Sequence, residues 1–113
     1  MKTTRFTGIR AWWLQRVSAA GLLAFLAFAV ASFWLHPPAD YAAWRGRLEH
    51  TGVQVATLAF GALLLVHMWV GLRDVLLDYA RPATLRIFLL GALAVALFGL
   101  AVWMLAILLP LAA

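Results

Sequence analysis

The sequence predicts an all-α integral membrane protein with three transmembrane helices. Three observations carry that expectation. Of its 113 residues, 66% are hydrophobic and 12% charged, against roughly 45–50% and 25% in soluble domains. A soluble fold of this size has too little interior for so many apolar side chains. The apolar residues also fall into three runs free of charge, each long enough to cross a hydrocarbon core of about 30 Å as a helix. Finally, the basic residues that give the net charge of +5 collect at the ends of these runs. They form no continuous basic face, so nucleic-acid binding is not expected. The absence of cysteine excludes disulfides, iron–sulfur ligation and cysteine zinc sites within this sequence.

Met1 to Ile9 is polar and basic, with Lys2 and Arg5. Arg10, Trp12, Trp13, Gln15 and Arg16 follow as an interfacial belt, since indole rings and long cations both prefer the headgroup level. Val17 to Leu35 is uncharged and rich in Ala, Leu and Phe, and His36-Pro37-Pro38 stops it. A cleaved secretory signal would place its cleavage site at Ala29-Val30-Ala31. The apolar run continues past that site and two further spans follow, so retention as a span is expected. Residues 36–51 form a polar loop with a short interfacial helix over Tyr41–Leu48.

The second span, from about Gly52 to Leu76, carries Gly52, Gln54, Thr57 and Gly61, small and polar residues suited to packed membrane helices. Residues 77–86 are expected as the second loop, with Pro82 in the turn or at the first position of the next helix. The third span, from about Leu85 to Leu109, has no charge after Arg86 and is the most lipid-like. Gly91 and Gly99 offer close-packing spots, and Pro110 is expected to end it. One membrane-anchor domain over residues 1–113 is expected, with spans at about 12–35, 52–76 and 85–109.

Charge sets the orientation. Lys2, Arg5, Arg10 and Arg16 precede the first span, and Arg73, Arg81 and Arg86 flank the second loop, whereas the first loop has only Arg45 and Arg47. By the positive-inside rule the N-terminus and the 77–86 loop are cytoplasmic.

The chemistry gathers on the second span. His67, Gly71, Asp74 and Asp78 are spaced by four, three and four residues, which keeps them on one helical face. His67 and Asp78 are roughly 16 Å apart along the axis. The neighbours of His67 from Ala62 to Leu72 are apolar or small. An unsatisfied polar group in hydrocarbon costs several kcal/mol, so this imidazole needs a partner. Heme iron is one candidate, because neutral imidazole is a standard axial ligand, and Gly71 one turn on would leave room for a porphyrin edge. A hydrogen bond to a neighbouring helix is the other.

The remaining histidines do not complete a heme site with His67. His50 lies roughly 25 Å from it along one rod, so the two cannot clamp one iron. A second axial ligand would come from another chain, and His36 and His50 read as ordinary interfacial residues. Arg16 is either a snorkelling cation or a partner for a heme propionate. Ser18 adds polarity on this turn without a clear role. Asp78 and Tyr79 read either as a helix end in an aromatic belt or as a quinone site, where a phenol donates to a carbonyl and an acid relays protons. Arg73 and Asp74 read as solvated headgroup-level charges.

Three stretches together resemble the hydrophobic membrane-anchor subunits of succinate dehydrogenase, respiratory complex II. They are Leu14-Gln15-Arg16-Val17-Ser18-Ala19, His67-Met68-Trp69-Val70-Gly71, and Asp78-Tyr79-Ala80-Arg81-Pro82. Length and three-span layout agree as well. The resemblance implies that His67 is an axial ligand of a heme b shared with a sister cytochrome b subunit. It implies that Arg16 reaches a heme propionate, and that Tyr79 donates to ubiquinone with Asp78 close by. The implied partners are that sister subunit, an iron–sulfur subunit and a flavoprotein, assembled at a bacterial cell inner membrane. Such a chain supplies half of each site and does not catalyse alone. The rival expectations are the anchor of a related fumarate reductase, or a non-redox packing or transporter subunit.

Overall fold

The computed structural model describes the backbone of residues 2–112 and the side chains of residues 8–111. The side chains of Lys2 and Arg5, which enter the charge balance, lie outside the described ones. Four helices follow one another: α1 (Lys2–Leu35), α2 (Tyr41–Glu49), α3 (Thr51–Tyr79) and α4 (Ala83–Ala112). Stretches of three of them, Gly8–Leu35, Thr51–Tyr79 and Ala83–Leu111, are long and apolar enough to cross a membrane. No strand occurs among the described residues.

The breaks between helices follow from local chemistry. Pro37 and Pro38 end α1, whose last bond runs from the His36 N–H to the Ser32 carbonyl at 3.0 Å. Asp40 then caps α2, its Oδ1 accepting from the Ala43 N–H at 2.8 Å, a contact of the kind that contributes about 1 kcal/mol. Arg47 ties α2 back to the end of α1. It donates to the His36 carbonyl and lies over the Phe33 ring, 5.4 Å from its centroid. His50 serves two helices at once. Its N–H closes α2 on the Arg47 carbonyl at 3.3 Å, and its Nδ1 accepts from the Gly52 N–H at 3.2 Å to cap α3. This histidine therefore has a structural task that its residue type did not announce, since caps are usually Ser, Thr, Asp or Asn.

Two expected boundaries shift. The second loop shrinks to Ala80–Pro82, because nothing in Leu77-Asp78-Tyr79 breaks a helix, and the break waits for Pro82, which disfavours helix in the residue before it. Arg86 fastens this turn, its Nε donating to the Ala80 carbonyl at 3.1 Å. Pro110 does not end α4, which runs on to Ala112. So near the end of the helix the proline forfeits a single backbone bond, the one its missing N–H would give to the Ala106 carbonyl.

Helix α3 packs on both α1 and α4; among the described residues the α1 and α4 backbones make no comparably close approach. Helices α1 and α3 run antiparallel in one register: Phe25 stacks on Phe60 at 4.5 Å, Gly21 faces Leu63, and Ser18 meets His67. Small residues set these distances. A Cβ on Gly21 would lie 2.6 Å from Leu63 Cδ1, and one on Gly61 would overlap Met104 of α4. Gly91 and Gly99, the expected close-packing spots, meet nothing within 4 Å. Three long helices bury little of themselves: Val70, Ala80, Leu97 and Leu108 are the buried apolar residues, while Trp34, Phe88 and Phe98 are more than two-thirds exposed. Those surfaces belong against lipid or other chains.

The Gly61–Met104 contact yields a stability test. Gly61→Leu should part α3 from α4 and destabilise the detergent-solubilised protein by about 1–3 kcal/mol, the usual cost of overpacking. Gly46→Ala, in open space on α2, should be neutral or slightly stabilising. Thermal unfolding followed by circular dichroism reads both; equal midpoints for the two variants would rule out close packing at Gly61.

Candidate functional site

The site grows from one polar contact between two greasy rods. His67 Nδ1 lies 3.0 Å from Ser18 Oγ, and Ser18 is 2% exposed. Of the two partners expected for His67, the neighbouring helix is therefore present within the chain. The serine hydroxyl also donates to the Gln15 carbonyl one turn back, at 3.1 Å, a common local bond for a helical serine. Sequence reasoning gave Ser18 no role. Its signal lay in its type: a small hydroxyl residue on an apolar helix, in a protein with a polar residue on another helix to satisfy.

His67 is half-buried. Its Nδ1 is held by α1, which leaves Nε2 as the ring nitrogen without a hydrogen bond among the described residues. That is the donor arrangement an axial heme ligand needs, with one ring nitrogen oriented by a hydrogen bond and the other offered to a metal. Among the described residues no three of His, Cys, Asp and Glu gather into a metal site; a heme iron asks for only one such side chain from this chain.

Gly71 requires a correction. The space beside it is not free for a porphyrin edge, because a Cβ there would lie 3.3 Å from Gln15 Nε2. The glycine lets α1 come close and admits the Gln15 amide. Gln15 Oε1 is buried without a partner among the described residues. Beyond this point a groove of about 670 Å³ lies between the helices, lined by Ala11, Trp12 and Gln15 of α1 and by Val70, Arg73 and Asp74 of α3. Arg73 and Asp74 pair with each other at 3.1 Å while both remain partly exposed, so they are less free than their sequence reading supposed. Such an exposed pair contributes little to stability.

The other candidates do not converge on His67 within this chain. Asp78 shares its helical face, three turns on, and is exposed. Tyr79 is turned about 120° from that face and is 81% exposed, a phenol free to meet another molecule. Arg16 precedes Ser18 by two residues, about 200° around α1, so it looks away from α3. Its guanidinium stacks on Trp12, 5.1 Å from the ring centroid, a perch suited to headgroup depth. Arg81 is exposed beside the turn. On the opposite end, Arg45 is held above its ordinary pKa by its hydrogen bond to Glu49 at 2.9 Å.

Residues 3–102 match the family described as succinate dehydrogenase/fumarate reductase transmembrane subunit. The chain is also similar to the succinate dehydrogenase hydrophobic membrane anchor subunit of Coxiella burnetii. The two are 27% identical over 96 residues, which is 85% of this chain and 84% of that one. With its three apolar helices, this multi-pass chain belongs to the succinate dehydrogenase/fumarate reductase transmembrane-subunit family.

Proposed function

We propose that this chain is the hydrophobic anchor of a bacterial succinate:ubiquinone oxidoreductase, a single membrane domain that supplies one heme b ligand and part of the ubiquinone site. The observation that carries this reading is the His67 imidazole, half-buried on an apolar helix and fixed at Nδ1 by Ser18. Heme b, when bound, supplies a centre that takes up and releases single electrons. Within this chain His67 would hold its iron through Nε2, and a sister cytochrome b subunit would supply the remaining protein ligand. The exposed faces of α1 and α4 give that subunit a surface to pack on.

Arg16, lifted to headgroup depth by Trp12, neutralises a heme propionate. Tyr79 donates its phenolic proton to a ubiquinone carbonyl, and the nearby Asp78 carboxylate exchanges protons with the medium as the ring is reduced. The high exposure of Tyr79 fits a residue completed by other chains. Those chains are the iron–sulfur and flavoprotein subunits, docked where Asp78 and Tyr79 emerge. Charge supports a cytoplasmic N-terminus in the inner membrane, with α2 on the outer face. Similarity to a succinate dehydrogenase anchor subunit favours succinate oxidation over fumarate reduction as the working direction.

Three outcomes are expected. Because the natural sequence lacks cysteine, a Glu49→Cys variant should react with an impermeant maleimide in intact spheroplasts; labelling only in inverted vesicles would reverse the topology. His67→Ala should abolish or displace the heme b absorption of the purified complex, and an unaltered spectrum would remove His67 from the iron. Tyr79→Phe should slow ubiquinone reduction about tenfold, the worth of one hydrogen bond of ~1.4 kcal/mol, while succinate oxidation by an artificial acceptor persists. A parallel fall in both activities would make Tyr79 an assembly residue instead.

A further inference from the structure

We infer that the Ser18 hydroxyl is a positioning residue for His67: it selects the imidazole tautomer that protonates Nδ1 and leaves Nε2 with a free lone pair. The inference rests on the heme reading above and concerns only residues of this chain.

A serine hydroxyl has one proton and two lone pairs. Ser18 Oγ has two partners in reach, the Gln15 carbonyl at 3.1 Å and His67 Nδ1 at 3.0 Å. The carbonyl can only accept. If both bonds form, the hydroxyl proton goes to Gln15, and the proton on the second bond comes from His67. The ring is then protonated at Nδ1, and Nε2 is the unprotonated nitrogen. The opposite arrangement, with Ser18 donating to Nδ1, would surrender the Gln15 bond and put a proton where the metal must bind. The burial of Ser18, at 2% exposure, keeps bulk water from competing for the hydroxyl. Hydrogen bonds between membrane helices average about 0.6 kcal/mol and reach ~1.7, enough to bias a tautomer severalfold.

Two consequences follow for a bound heme. A hydrogen-bonded Nδ1–H makes the imidazole a more electron-rich ligand, which stabilises the ferric over the ferrous state. It also fixes the ring plane, since the bond ties the imidazole to a rigid neighbouring helix. Loss of such a partner typically weakens metal retention by about 10–100-fold.

The test uses the complete membrane complex carrying Ser18→Ala, Ser18→Thr or His67→Ala, with heme content per flavin and the heme midpoint potential read by optical redox titration. Ser18→Ala should raise the midpoint potential and increase heme loss by about tenfold or more, and Ser18→Thr, which keeps the hydroxyl, should resemble the wild type. Should Ser18→Ala not assemble, Ser18→Cys replaces it, because a thiol is a similar volume and a weak acceptor. A wild-type potential and heme content in Ser18→Ala, beside heme loss in His67→Ala, overturns this inference and leaves the heme reading standing. Unchanged heme in His67→Ala overturns both. Failure of both the Ala and Cys variants to assemble also counts against it, because the hydroxyl would then act in folding.

Discussion

An imidazole inside a bilayer cannot be left alone, and that constraint organises this protein. Water is absent there, so each nitrogen of His67 must be answered by a side chain, a backbone group or a ligand. Helix α1 answers one of them with Ser18. The contact also fixes how the two helices slide past one another. With Ser18 opposite His67, Phe25 falls on Phe60 and Gln15 comes to rest against Gly71. Apolar surfaces alone specify register weakly in lipid, where tails are as greasy as leucine. A polar pair and a few glycine contacts supply the specificity that hydrophobicity lacks.

The central place of α3 has a functional sense of its own. It is the helix on which both α1 and α4 pack, and the residues of the proposed cofactor site lie on α3 and α1. His67 is half-buried, Tyr79 is exposed at the end of α3, and Arg16 is exposed on α1. In the proposed function other chains complete each of them. At the other end the chain invests in its own structure: Asp40 and His50 cap helices, and Arg47 closes α2 against α1.

Much of this was legible in the residues. The three spans and the small helix over residues 41–48 follow from charge-free runs and prolines, and the structure extends them by a few residues. The need of His67 for a partner was equally readable, because it depends only on depth and polarity. Who that partner was could not be read, since pairing Ser18 with His67 depends on the register between two helices. The same ignorance misassigned Gly71, whose gap admits the Gln15 amide, and it promoted Gly91 and Gly99 over Gly21 and Gly61 as contact points. Helical periodicity places residues on a face but does not say what that face meets. The family match supports the overall identity, while the roles of Arg16, Asp78 and Tyr79 depend on chains outside this one.

The central claim is that His67 gives its outward nitrogen to iron while Ser18 holds the inward one. A cryo-electron microscopy map of the native complex, sharp enough to place side chains, tests it most directly. The account predicts continuous density from His67 Nε2 to a porphyrin iron, with Ser18 Oγ still against Nδ1. A map with no porphyrin within bonding reach of Nε2, or with the ring turned to lipid, would contradict it.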